Sequence, residues 1–222
     1  MIEISNLYKM FERRRPEDRY ALMDINIEIG DGEFVYLVGP SGSGKTTLMK
    51  ILNREQLPTK GDVFVDGENL SKIKRNQIPY YRRKLGVIFQ DFKLLYNKTA
   101  VENMVMAMRA QGKIVKGSLE QVRDILKLIG ISAKMDFLTD ELSRGEQRLL
   151  TIARALATSP KFILADEPLV DLNKSDQKKI LDIFEGFCKR GSTVIIATKQ
   201  IEYAKLCHSR IVKIISGRIK ED

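Results

Sequence analysis

Tryptophan is absent, histidine occurs once (His208) and cysteine twice (Cys188 and Cys207). The cysteines form no C-x-x-C pair and no metal-ligand spacing, so a zinc site or redox dithiol is not expected. They read as reduced thiols and fit a cytosolic compartment. His208 reads as a surface or helix-end residue. No window approaches 18 consecutive apolar residues, so no helix is expected to span a bilayer. The first five residues carry an acid and lack a basic n-region, so no signal peptide is expected. If the chain works at a membrane, something else holds it there. Internal repeats and low-complexity tracts are also missing.

What is present is an ordinary globular composition, 43% hydrophobic and 30% charged, in 222 residues. That length suits one α/β domain or one domain with an inserted subdomain, with a large buried core. The net charge of +9 is compatible with three partners: nucleic acid, anionic lipid, or the cytoplasmic face of a membrane protein.

The chain is organised around residues 39–47, which fit G-x-x-x-x-G-K-[ST] with Gly39, Gly44, Lys45 and Thr46 at the fixed positions. Pro40, Ser41, Gly42, Ser43 and Thr47 complete the stretch. An apolar run, Phe34 to Val38, predicts a buried strand before it, and Thr47 to Leu52 predicts a helix after it. That is the strand–loop–helix context of a phosphate-binding loop. Its glycines let backbone N–H groups turn inward on a phosphate chain, and the helix N-terminus adds partial positive charge. Lys45 is expected to reach the β- and γ-phosphates and Thr46 to hold Mg²⁺.

Alternation predicts strands over residues 2–8 and 20–29. Between them stand Phe11 and a basic turn, Arg13 to Pro16. Two readings of Phe11 remain open: an aromatic stacked on adenine, or a core side chain. A short strand is expected over 62–67, then a polar, basic stretch over 68–84 with Lys72, Lys74, Arg75, Arg82, Arg83 and Lys84. Residues 85–90 read as an apolar strand ending in Gln90. Beside a phosphate loop this glutamine is either a Mg²⁺ ligand or a solvated loop amide. Helices are expected over 99–130, split at Gly112 to Gly117 and ended by Gly130. The methionines at 104, 106 and 108 read as core packing. A helical subdomain is placed at 91–155. Ser143 and Glu146 form an S-x-x-E capping box at the start of another helix. Residues 161–166 predict a buried strand ending in Asp166, with Glu167 next. Asp166 reads as the second Mg²⁺-binding group of a P-loop NTPase, and Glu167 is placed to polarise an attacking water. A helix over 176–190, a strand over 192–197, a helix over 201–207 and strands at 211–215 and 219 close the chain.

The order of phosphate loop, Phe-Gln-Asp, Leu-Ser-x-Gly-Glu-Gln and Leu-Ala-Asp-Glu-Pro resembles the ATP-binding-cassette (ABC) ATPases over nearly the whole chain. The resemblance implies a single ABC ATPase domain over 1–222: a P-loop α/β core, an antiparallel β-subdomain and the inserted helical subdomain. Residues 87–95 and 98–103 are most similar to the FtsE branch, cell-division ATPases that pair with the membrane protein FtsX. The lipoprotein-release and macrolide-export ATPases are close alternatives. The roles implied are adenine stacking for Phe11, Mg²⁺ sensing and partner contact for Gln90, Mg²⁺ binding for Asp166 and general-base work for Glu167. Ser143, Gly145 and Glu146 would face the γ-phosphate bound by a second copy, giving a head-to-tail homodimer that sandwiches two ATP molecules. An FtsX-like integral membrane protein is the expected partner, with peripheral attachment to the cytoplasmic face of the inner membrane. Nucleic acid is not expected as a partner.

Three positions depart from the family pattern. Arg144 stands where a small residue is usual, Asn173 replaces an aspartate, and Lys199 replaces the switch histidine. Losing an oriented contact to developing phosphoryl charge lowers the rate by roughly 10²–10³. Lys199 substitutes in part as a point charge. Slow hydrolysis is therefore expected, with a nucleotide-gated binding module as the alternative.

Overall fold

The computed structural model describes residues 1–12, 20–112, 118–204 and 209–220. Arg13 to Pro16, Cys207, His208 and most of the Gly112–Gly117 link lie outside the described residues.

Two sheets carry the fold. The first pairs β1 (Ile2–Met10) with β2 (Tyr20–Ile29) and β4 (Lys60–Val65), and β4 with β5 (Glu68–Asn69), all antiparallel, in the order β2-β1-β4-β5. The second contains β3 (Phe34–Val38), β6 (Leu85–Ile88), β7 (Phe162–Asp166), β8 (Thr193–Thr198), β9 (Arg210–Ile215) and β10 (Arg218–Lys220), in the order β10-β9-β3-β8-β7-β6. Its pairings are parallel except for the antiparallel edge strand β10.

The apolar runs are continuous because both faces of the parallel sheet are covered, and successive side chains leave by opposite faces. Phe34, Tyr36 and Val38 of β3, with Ile163 and Ala165 of β7 and Val194 and Ile196 of β8, enter one core. Val35, Leu37, Phe162, Leu164, Ile195 and Ala197 enter the other. The second core is closed by α1 (Lys45–Leu52), through Leu48, Met49, Ile51 and Leu52, and by the inward residues of the antiparallel sheet. The first is closed by helices α3 (Ala100–Ala110), α4 (Ser118–Ile129), α5 (Arg144–Leu156) and α6 (Lys174–Lys189). Each aliphatic side chain so buried contributes about 1.5–3 kcal/mol relative to leaving it exposed.

The helices begin where their sequences satisfy free N–H groups. Ser143 and Glu146 cap α5 reciprocally, and Thr99 and Glu102 do the same for α3. Asn173 caps α6, its side chain accepting from the Asp176 N–H at 2.9 Å. Asparagine and aspartate cap equally well, so the departure at 173 leaves the helix start intact. Met104 and Met108 are buried as expected, while Met106 is 44% exposed.

Three details differ from the expectations. The helix after the phosphate loop begins at Lys45 rather than Thr47, because its first turn is part of the loop. The strand expected over 85–90 ends at Ile88, leaving Gln90 on the following loop. The basic stretch holds structure of its own: β5, a 3-10 turn (Leu70–Lys72) and helix α2 (Ile78–Arg82), anchored by buried Tyr81, whose hydroxyl donates to the Leu52 carbonyl. The described part of the helix expected over 201–207 is α7 (Ile201–Ala204), and residues 205–207 lie outside the described residues. Among the described residues, no helix is long and apolar enough to cross a membrane.

Candidate nucleotide-binding site

The parallel strands deliver their C-terminal ends to one edge of the sheet, and the site stands there. A cleft of about 630 Å³ is lined by residues 41–47, Gln90, Asp166, Glu167 and Lys199, with Tyr20, Met23, Arg148 and the Ser216–Gly217 turn among its other walls.

The loop keeps its shape through close backbone approach. Gly44 has φ +107°, and a Cβ there would stand 2.4 Å from the Ala21 carbonyl oxygen, so no other residue fits. The β9–β10 hairpin pins the loop from outside: the Gly217 N–H donates to the Ser43 carbonyl at 3.0 Å. Ser216 and Gly217 both have positive φ, as a tight two-residue hairpin turn requires.

Lys45 is 7% exposed, and its ammonium donates to the carbonyls of Gly39 (2.6 Å) and Pro40 (2.9 Å) and to Ser43 Oγ (3.2 Å). Burial lowers its pKa, opposed by the nearby charges of Glu167 and Asp166. Its acceptors form a ring of oxygens around one cation, an arrangement that phosphate oxygens can take over. Thr46 Oγ1 donates to Asp166 Oδ2 at 2.6 Å across 120 positions of sequence. Burial raises the Asp166 pKa, and the neighbouring Glu167 charge adds to that rise against the Thr46 hydrogen bond. A buried carboxylate beside a hydroxyl is a hard-oxygen donor set that suits Mg²⁺. Among the described residues no group of three acidic, cysteine or histidine side chains forms a metal cage. Thr46 and Asp166, with Gln90 in the same cleft, fit a Mg²⁺ whose remaining ligands would be phosphate and water.

Glu167 has φ +48°, a left-handed conformation that is strained for a non-glycine residue. Its N–H donates to the Ala197 carbonyl at 2.8 Å, which ties the turn to β8. Both carboxylate oxygens are engaged: Oε2 accepts from Thr198 Oγ1 (3.0 Å) and Oε1 from the Lys199 N–H (2.9 Å). The Lys199 side chain lines the cleft, and its charge is one of the influences that lower the Lys45 pKa.

Of the residues expected at the site, positions 41–47, Gln90, Asp166, Glu167 and Lys199 meet in this cleft. Gly39 and Pro40 stand behind it and contribute the carbonyls that hold Lys45. Phe11 is not among its lining residues and packs against the Lys9 ammonium, 5.1 Å from the ring centre. Tyr20, 43% exposed and paired with Met10 across the sheet, is the aromatic in the cleft wall. Ser143, Gly145 and Glu146 also lie outside the cleft, at the start of α5. Seven lining residues carry no expectation from the sequence, Tyr20 and Arg148 among them. For Arg148 a signal existed: a cation one turn before Ile152 and two before Ala155, on the apolar stripe of a helix, has to find buried partners.

Comparison with known proteins agrees with this geometry. Residues 22–170 match the model of the family described as ABC transporter. The chain is 38% identical over its full length to the cell division ATP-binding protein FtsE of Bacillus subtilis, covering 96% of that protein. It is equally similar to FtsE of Mycobacterium tuberculosis, at 38% identity over 100% of the chain and 95% of the relative. Among solved structures, the ATP-binding cassette MJ0796, a dimer in a post-hydrolysis state bound to ADP and Pi, superposes with a TM-score of 0.91 at 30% identity, covering 100% of the chain and 97% of that one. With a family model spanning most of its length and full-length relatives at this identity, the chain belongs to the ABC transporter family and has the ABC ATPase fold.

Proposed function

We propose that the chain is the Mg²⁺-dependent ATPase subunit of an FtsEX-like membrane complex. It works as a homodimer around two ATP molecules and signals through an FtsX-like partner in cell division and control of cell-wall hydrolases. The observation that carries the reading is the convergence of Lys45, Thr46, Asp166 and Glu167 on one cleft, with the Thr46 hydroxyl on the Asp166 carboxylate at 2.6 Å. The cell-division branch is supported by relatives of that name that match the chain end to end. The dimer is supported by the dimeric cassette it resembles.

In this reading Lys45 releases its carbonyl acceptors to bind the β- and γ-phosphates, while the loop N–H groups and the start of α1 hold the rest of the chain of phosphates. Thr46 and Asp166 would hold Mg²⁺, with Gln90 on its loop beside them, and the ion would supply positive charge against that of the phosphates. Glu167, oriented by Thr198 and Lys199, accepts a proton from the attacking water. Phe11 or Tyr20 stacks on the adenine. Ser143, Gly145 and Glu146 face the nucleotide of the second copy. Residues 91–155 form the helical subdomain that carries them, and the chain sits peripherally on the cytoplasmic face of the inner membrane, since a partner holds it there.

A second reading, a nucleotide-gated clamp with little hydrolysis, is favoured by Lys199. Its ammonium adds charge to the cleft but cannot relay a proton as a neutral imidazole does. Phosphate release by the purified chain with Mg²⁺-ATP, beside Glu167→Gln as the blank, decides between them. Turnover above the blank is expected. ATP binding with no release above the blank, alone and with the membrane partner present, would establish the clamp.

A further inference from the structure

Arg148 is 2% exposed, yet it lines the nucleotide cleft. Its guanidinium donates to two successive carbonyls on the loop after β6, Phe89 O at 2.8 Å and Gln90 O at 2.9 Å. It approaches Asp171 Oδ2 at 3.9 Å, on the loop between β7 and α6, and covers the Phe92 ring at 4.7 Å. A second arginine of α5, Arg154, takes the far end of the same loop, donating to Phe92 O at 3.0 Å and Lys93 O at 2.6 Å. The loop that carries Gln90 is thus strung between two arginines of one helix.

Asp171 is itself tightly placed. It has φ +69°, its other carboxylate oxygen lies 3.4 Å from Arg144 Nε, and its carbonyl would crowd a Cβ at position 145, 3.0 Å away. The guanidinium of Arg148 therefore links α5, which carries it, to two other segments: the loop of Gln90 and the loop that follows Glu167. Burying an arginine is unfavourable unless its donors are engaged. The planar fork of this one is spent almost wholly on loop backbone, with its Nε left without a hydrogen-bond partner. An arginine held at that expense of desolvation, with its donors on the carbonyls at and before Gln90, sets where Gln90 stands in the cleft.

We propose that Arg148 is a positioning residue: it holds the Phe89–Asp91 segment so that the Gln90 side chain faces the Mg²⁺–phosphate position, and it ties that segment to Asp171. The proposal deepens the reading of Gln90 as a metal-facing residue and rests on it for its functional consequence, although the loop-ordering part does not.

The test uses the full chain and has two arms. Without nucleotide, backbone order parameters are measured by NMR relaxation. In Arg148→Gln those of Phe89, Gln90 and Asp91 are expected to fall from about 0.85 to below about 0.6, while Phe92 and Lys93, held by Arg154, stay ordered. With nucleotide, the gain in ATP affinity on adding Mg²⁺ is expected to shrink about tenfold relative to the wild-type gain. Arg148→Lys, which keeps the charge and can reach one of the two carbonyls, is expected to fall between the two, and it carries the test if Arg148→Gln does not fold. Unchanged order at 89–91 overturns the proposal. So does a loss of order spread through α5 and the sheet, since that marks a merely structural residue. A wild-type chain that gains nothing from Mg²⁺ removes the metal reading of Gln90, and the order parameters then decide the positioning role alone.

Discussion

The phosphate loop and the start of α5 are both helix beginnings with free N–H groups, and folding leaves them in opposite conditions. Lys45 is 7% exposed with three oxygen acceptors, and Thr46 is already joined to Asp166. The Arg144 side chain is 75% exposed, and its ion pair among the described residues is a long contact with Asp171 at 3.4 Å. Ser143 and Glu146 satisfy each other and reach nothing in the cleft. In the proposed reading, one half of the nucleotide machinery is thus completed by folding, whereas the other is only shaped by it. In that reading the start of α5 meets a nucleotide only when the second copy of the proposed dimer arrives.

This contrast sets the expected sizes of substitution effects. On the completed side, Glu167→Gln should lower phosphate release by about 10²–10⁴ while ATP binding persists; an equal loss of binding would show that Glu167 shapes the loop rather than the reaction. Lys45→Ala should weaken ATP by about 10²-fold or more, because charge-assisted bonds to phosphate disappear and the Gly39 and Pro40 carbonyls lose their donor. Equilibrium binding of a fluorescent ATP analogue measures it, and a loss below about threefold would move the site elsewhere. At the boundary between the halves, Lys199→His should raise turnover about tenfold by restoring a neutral relay. Wild-type turnover equal to or above that of the variant would count against slow hydrolysis.

On the presented side the effects on the isolated chain should be small. Arg144→Gly should change unfolding free energy by no more than about 1 kcal/mol, since an exposed ion pair contributes little; a larger change in chemical denaturation would make Arg144 part of the core structure. The smallest effect is a pH signature. The Ser143 N–H and hydroxyl hold the Glu146 carboxyl below its ordinary pKa. A depressed carboxylate pKa contributes stability above its unfolded value and loses it as pH falls through the folded one. Glu146→Gln keeps the cap but not the charge. Wild type should thus melt slightly higher at neutral pH, and the gap should close on acidification. A gap that widens in acid would reverse the assignment.

Much of the fold was legible because its signals are local. The capping box at Ser143, the apolar strand ending in Asp166 and the phosphate loop each depend on residues within one turn or one strand. The same locality explains what was misplaced. The stretch over 68–84 looked polar because its order rests on single anchors such as Tyr81, buried against the end of α1. Gln90 read as a strand end because the strand's apolar run continues through Phe89, whereas pairing with β7 stops at Ile88. Tyr20 gave no signal at all, since its place in the cleft wall depends on how β2 lies against the hairpin turn at Ser216–Gly217.

By itself, then, the sequence determined the elements and the chemistry: which segments alternate, which helices are capped, and that a lysine, a hydroxyl and two acids follow in the order a phosphate site requires. Only the tertiary structure decided which of these groups meet. Thr46 finds Asp166 across 120 positions, and Arg148 finds Phe89 across 59. The physical reason is that periodicity and capping act over a few residues of backbone, whereas the partner of a buried charge is chosen by the packing of whole sheets and helices around it.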